Sequence, residues 1–271
     1  MEAEEVLWGY DAVSALYPYA PSMNLWRAWE FAAYQHYSLT EPALDVGCGD
    51  GRFFRLVWPN ISDVTGVDMS PTVVAAAQRS AVYKQVYLAP AHELPVASET
   101  FASAFANCSI EHMDRLPDVL INIRRSLKSG AMFMLSVVTD KFNDWATLPL
   151  LIEQMGKPEW SKELRTSFKD YHHLVNPLPR DVWVASLEEA GFDVIEHVPI
   201  VPEVTSRLFL LVDQLWHIET RDGALGDALA AWLVRASDFP QAFRQIFAGT
   251  LRMEHDWSVG SGAVFMVRKR S

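Results

Sequence analysis

The chain has 271 residues, half of them apolar, with 34 acidic against 23 basic side chains and a formal charge of −11. That length holds one sizeable domain with additions, or two small ones. The acidic balance, with no basic stripe, argues against a nucleic-acid partner. No apolar run approaches the ~20 residues that span a bilayer. The start, Met1-Glu2-Ala3-Glu4-Glu5, lacks the basic and apolar regions of a signal peptide. The two cysteines, Cys48 and Cys108, read as thiols in a reducing cytoplasm, not as a disulfide framework. Ten tryptophans and 14 phenylalanines suit a large core and an apolar pocket lined with rings.

Residues 1–40 form an N-terminal helical cap. Within it Leu25, Trp29, Ala32, Ala33 and His36 recur at helical spacing, with Arg27 and Glu30 off that face. Strand one then ends at Val46 and runs into Gly47-Cys48-Gly49-Asp50-Gly51. Glycine lets the backbone turn tightly and come close to a ligand. The helix that follows presents unpaired N–H groups at its start. The dinucleotide pattern G-x-G-x-x-G would need glycine at position 52, which is Arg52. What stands here is an acid-x-G-x-G-x-G run with Asp45 before the glycines. A carboxylate there is a poor neighbour for a pyrophosphate and suits an ammonium or sulfonium ligand.

Strand two, 63–67, closes on Asp68, where α/β nucleotide-binding folds present an acid to a ribose diol. A helix through 73–80 leads to strand three, 85–88. Strand four, about 101–106, is followed by Asn107-Cys108-Ser109-Ile110-Glu111-His112-Met113. A helix over 116–127 stops at Lys128-Ser129-Gly130, and 131–138 is strand five. Such apolar, β-branched runs separated by helices predict a parallel sheet buried on both faces. Residues 139–178 break the alternation. Then 179–191 reads as a helix, 193–201 as a strand, 203–258 as helical insert and 262–267 as the last strand.

Four pieces, in order, resemble the class I S-adenosylmethionine-dependent methyltransferases: Leu44-Asp45-Val46-Gly47-Cys48-Gly49-Asp50-Gly51; Gly66-Val67-Asp68-Met69-Ser70; Glu93-Leu94-Pro95 with Thr100-Phe101; and Ile110-Glu111-His112-Met113 with Leu127-Lys128-Ser129-Gly130. The resemblance covers about 40–140, the Ala190-Gly191-Phe192 helix-to-strand turn and the last strand. It implies a Rossmann-like α/β fold: a seven-stranded, mostly parallel sheet of order 3-2-1-4-5-7-6. The methyltransferase domain would then be 41–271, with helical inserts at about 139–178 and 203–258.

The same resemblance implies S-adenosyl-L-methionine as cofactor. Asp45, with the backbone of Gly47, Cys48 and Gly49, would hold its methionine end. Asp68 would bind the ribose, Met69 would lie against the adenine, and Ala91 and His92 would lie beside that ring. Asn107 and Cys108 would border the methionine amino group. Two positions depart from the family pattern: Pro90 and Ala102 stand where it often has Asp. Arg27 is a further candidate for the cofactor carboxylate.

A sulfonium methyl is already electrophilic, so the enzyme's task is alignment, which supplies roughly 7–11 kcal/mol. A general base is needed only for a protonated nucleophile. His112, Glu111, His172 and His173 are the candidates, since imidazole exchanges a proton near neutral pH. Their spacing is not that of a metal site, and no metal is expected. The Trp-, Phe- and Leu-rich inserts point to a small, largely apolar or aromatic acceptor. The stripes at 203–258 suit a homodimer interface equally. The competing expectations are a cofactor-binding regulator or scaffold without turnover, and a protein- or RNA-modifying methyltransferase.

Overall fold

In a computed structural model, which describes residues 1–221 and 223–271, the chain forms two compact units. One comprises 34–139, 174–198 and 263–271. The other comprises 1–33, 140–173 and 199–262.

The first unit is built on β1 (Ala43–Val46), β2 (Val64–Asp68), β3 (Gln85–Leu88), β4 (Phe101–Asn107), β5 (Leu127–Val138), β6 (Phe192–Ile200) and β7 (Gly262–Lys269). These make one seven-stranded sheet of order 3-2-1-4-5-7-6. β1 pairs in parallel with β2 and β4, β2 with β3, and β4 with β5. The expected order is therefore the observed one. β1 is buried along its whole length. Leu44, Val46, Val67, Ala104, Phe133, Leu135 and Phe265 join one apolar core with Leu120 and Ile123.

Helices α3 (Arg52–Val57), α4 (Pro71–Arg79), α5 (Leu116–Ser126) and α9 (Arg180–Glu189) connect the strands. α4 starts where capping chemistry dictates. The Ser70 hydroxyl accepts from Val73 N, and Pro71, which has no N–H to lose, takes the first turn.

One boundary differs from expectation. Lys128-Ser129-Gly130, read as a helix stop, already lies in β5. α5 ends at Ser126, and Leu127 pairs with Phe101. The register then jumps so that Ser103 faces Met132, with Gly130 at φ +72° in the bulge. A glycine that ends a helix and one that admits a β-bulge look alike in sequence.

The second unit is helical, apart from a two-residue ladder pairing 219–220 with 223–224. It contains α1 (Ala3–Leu16), most of α2 (Pro21–Tyr34), α6 (Lys141–Asp144), α7 (Thr147–Gln154), α8 (Pro158–Tyr171), α10 (Glu203–Trp216), α11 (Leu225–Leu233) and α12 (Phe239–Met253). α1 packs on α12, and α10 packs on α7, α11 and α12. Phe142 stands at the centre of an aromatic cluster with Trp26, Phe168 and Phe209.

The placing of Glu30 off the apolar face of α2 needs correction. Glu30, placed off the apolar face, is fully buried. It accepts from Trp26 Nε1 at 3.0 Å and from Arg27 Nη1 at 2.7 Å, so its charge is paired within the helix. α1 falls within the expected helical cap of 1–40, and its capping box, Glu2 with Glu5, marks its start.

Candidate cofactor and active site

The site begins where β1 and β2 end side by side. Val67 O receives Gly47 N at 2.8 Å and Cys48 N at 3.1 Å, which folds the loop back over β2. Gly47, Gly49 and Gly51 all have positive φ, at +70°, +57° and +81°. Their surroundings differ. A Cβ on Gly47 would strike the Ser109 side chain, and one on Gly51 would come within 2.7 Å of the Tyr83 ring. A Cβ on Gly49 would meet nothing within 4 Å. Two glycines therefore make room for protein atoms, and the middle one keeps a stretch of backbone open to a ligand.

Two carboxylates flank that loop. Asp68 accepts from Gly49 N at 3.3 Å and from Ser70 N at 2.9 Å, which fixes its orientation at the end of β2. Asp45 is buried, and its Oδ2 lies 2.7 Å from the Tyr83 hydroxyl, which also lies 2.9 Å from Cys48 O. Burial pushes the Asp45 carboxyl up to about 7. The Tyr83 hydrogen bond opposes that shift, and the Asp68 charge adds to it. Burial likewise pushes the Cys48 thiol and the Tyr83 phenol upward, with Asp45 adding to both.

Tyr83 escaped the sequence reading. The signal for it was indirect: Gly66, like Gly51, leaves space for this ring, since a Cβ there would come within 3.1 Å of it.

On the far side of Asp68, Met69 is 72% exposed and Leu88, at the end of β3, is 55% exposed. Ala91 is buried in the turn of 3₁₀-helix Ala91–Glu93. That turn is held by Asn122 Nδ2, which donates to His92 O at 2.8 Å. His92 Nε2 lies 3.6 Å from Glu93.

After β4, Asn107 Oδ1 accepts from the Tyr34 hydroxyl at 2.8 Å and from Ser136 Oγ at 3.2 Å. Cys108, at φ +47°, donates its N–H to Ser136. Ser109 Oγ donates to Val46 O at 2.9 Å, tying this turn to the glycine loop. Glu111 is fully buried, with His112 Nε2 3.9 Å from its carboxylate. Its carbonyl receives the N–H groups of Val175 and Asn176, and Asn176 Nδ2 donates to Met113 O at 2.7 Å. The 174–176 strap thus holds the turn that carries Glu111 and His112.

The sheet unit therefore brings together Asp45, Gly47, Cys48, Gly49 and Asp68, with Asn107 and Cys108 tied to the same loop by Ser109. Met69, Ala91, His92, Glu111 and His112 lie in the same unit, whereas Arg27, His172 and His173 sit in the helical unit. Arg27 is engaged with Glu30. His172, at the end of α8, is bound to Asp213 at 2.8 Å, and His173 follows it at φ +48°.

A parallel α/β sheet with a glycine loop after β1 and an acid closing β2 defines a Rossmann-like protein that binds a nucleotide cofactor at the carboxyl edge of its strands. Residues 44–135 match the family model described as a methyltransferase domain. The O-methyltransferase rstn1 of Aspergillus nomiae is 31% identical over 165 residues, covering 58% of this chain and 66% of that protein. The demethylmenaquinone methyltransferase of Symbiobacterium thermophilum is 28% identical over 142 residues, covering 48% of this chain and 55% of that one. The chain thus spans less than two thirds of either relative. A solved SAM-dependent methyltransferase from Thermotoga maritima has the same fold, with a TM-score of 0.57 at 16% identity over 96% of this chain and 95% of the other. Residues 44–135 thus carry a methyltransferase domain of the class I S-adenosylmethionine-dependent type, whose cofactor is S-adenosyl-L-methionine.

The residues present suit that cofactor. The open backbone at Gly49 admits a close ligand, the buried Asp45 suits a cationic amino group, and the fixed Asp68 suits a diol.

Proposed function

We propose that the protein methylates a small, largely apolar or aromatic acceptor. The observation that carries the reading is the loop itself: positive φ at Gly49 with nothing within 4 Å of its Cβ direction, set between two acids. In the proposal Asp45 accepts from the amino group of the methionine end, beside the backbone of Gly47, Cys48 and Gly49. Asp68 accepts from both ribose hydroxyls. Met69, Leu88, Ala91 and His92 bound the adenine, and Asn107 with Cys108 borders the methionine end. Once bound, the cofactor supplies an electrophilic methyl on sulfur.

The chain's own contribution is then orientation and exclusion of water. For an acceptor that must lose a proton, His112 is the base. The buried Glu111 carboxylate beside His112 steadies the imidazolium that results. We assign His172 no proton transfer, because Asp213 engages its Nε2. Support for a small acceptor comes from relatives named as an O-methyltransferase and a demethylmenaquinone methyltransferase, and from the acidic charge of the chain.

The test is transfer of a labelled methyl group from S-adenosylmethionine to a panel of phenols, quinols, amines and carboxylic acids. The account expects turnover with at least one phenol or quinol, and a loss of kcat in His112→Ala. Turnover confined to protein or RNA, or binding of cofactor without turnover on any class, would overturn it.

A further inference from the structure

Methyl transfer leaves one cluster in the helical unit unexplained. His172 caps α8, while Asp213 and His217 stand four residues apart at the end of α10 and so on one face of it. His172 Nε2 lies 2.8 Å from Asp213 Oδ2, and His217 Nδ1 lies 3.2 Å from the same oxygen. All three donor atoms fall within 4.8 Å of one another. Asp213 is only 4% exposed, yet both imidazoles keep about a fifth of their side-chain surface in solvent. A buried carboxylate aimed at two solvent-reachable imidazoles is costly as a mere filler of space.

We propose that His172, Asp213 and His217 form a binding site for one divalent transition-metal ion of the zinc class. The donor types fit: two imidazole nitrogens and one carboxylate oxygen suit zinc, cobalt or nickel. Calcium and magnesium take six or more oxygens, or retain most of their water. Bonds of about 2.0–2.2 Å to a tetrahedral ion set neighbouring donors roughly 3.3–3.6 Å apart, so the 3.2 Å pair needs almost no movement and the 2.8 Å pair opens by about half an ångström as the ion replaces its hydrogen bond. Asp213 supplies the anion such a site needs.

The rings are also held in place. Tyr171 lies against His217 with centroids 4.0 Å apart, and Phe168 meets His172 edge-on at 4.5 Å. Three protein ligands leave one coordination position for water or for a donor atom of a small molecule.

The test is titration of the chelator-treated full chain with cobalt(II), followed by its visible spectrum, and then displacement by zinc. The account expects one equivalent of cobalt with the intense absorption of a tetrahedral nitrogen–oxygen site. Affinity should fall by at least about tenfold in Asp213→Asn and in His217→Gln. His172→Gln, at a partly exposed position, serves as the second check should the Asp213 change unfold the chain. A second triplet of donors, Cys108, Glu111 and His112, lies in the sheet unit. A thiolate-to-cobalt charge-transfer band lost in Cys108→Ser would assign the metal there and overturn the proposal. So would wild-type protein that stays folded and takes up no cobalt, or uptake that the three helical-unit variants leave unchanged.

Discussion

Two glycines, one in each unit, serve opposite ends. In the helical unit, a Cβ on Gly9 would collide with the carbonyl oxygen of Ala28, so α1 and α2 approach there backbone to backbone. In the sheet unit, a Cβ on Gly49 would enter open space, and its φ of +57° is one that side chains other than glycine rarely adopt. The first glycine closes a gap within the protein. The second holds a gap open. A missing side chain thus marks packing at Gly9 and ligand approach at Gly49, and what surrounds the absent Cβ distinguishes them.

Substitutions can break or sharpen that contrast. The largest effect expected is on binding. Asp68→Ala removes a carboxylate that would accept from two hydroxyls, and should weaken S-adenosylhomocysteine about 100-fold by calorimetry. Nearly as large, but on stability alone, is Gly9→Val. Forcing two helices apart should cost about 2–3 kcal/mol in urea unfolding, with cofactor affinity of the folded protein unchanged. Gly49→Ala sits between these. It should cost about 1 kcal/mol of stability from its backbone conformation, yet lower affinity at least tenfold. If Gly49→Ala instead cost as much stability as Gly9→Val and left binding intact, the contrast would be wrong.

Proton linkage gives a smaller effect that belongs to the sheet unit. The Asp45 pKa is about 7 in the folded protein, raised above its ordinary 3.8. Between those values the folded chain holds a proton that the unfolded chain releases. The contribution to stability is therefore present at low pH and lost as pH rises through about 7. An ammonium beside Asp45 favours the carboxylate, so binding in this window expels a proton, and affinity should climb as pH rises toward 8. Calorimetry in two buffers of different ionisation enthalpy would read the proton directly. Tyr83→Phe, by removing the donor to Asp45, should move the midpoint upward. The smallest effect expected is at the surface of the helical unit. Arg244→Met removes a half-exposed pair with Asp11 at 2.6 Å and should cost no more than about 0.5 kcal/mol in urea unfolding.

The same contrast explains what the sequence revealed. The glycine loop, Asp68 and the alternation of strands with helices were legible because local backbone rules set them: positive φ, strand ends, helix starts. Sheet order followed from the family resemblance. Tyr83 was not legible, because its role depends on a space made by Gly51 and Gly66, which are remote from it in sequence. Glu30 was misread because helical periodicity assigns faces and cannot see that Trp26 and Arg27 both donate to a buried acid. The triplet His172, Asp213 and His217 joins α8 to α10, and no local pattern in 139–178 or 203–258 pairs those helices.

The most direct measurement is a calorimetric titration of the full chain with S-adenosylhomocysteine at about pH 8. The account predicts saturable one-to-one binding in the micromolar range, lost in Asp68→Ala and weakened in Gly49→Ala. A folded protein that binds neither S-adenosylmethionine nor S-adenosylhomocysteine would contradict it.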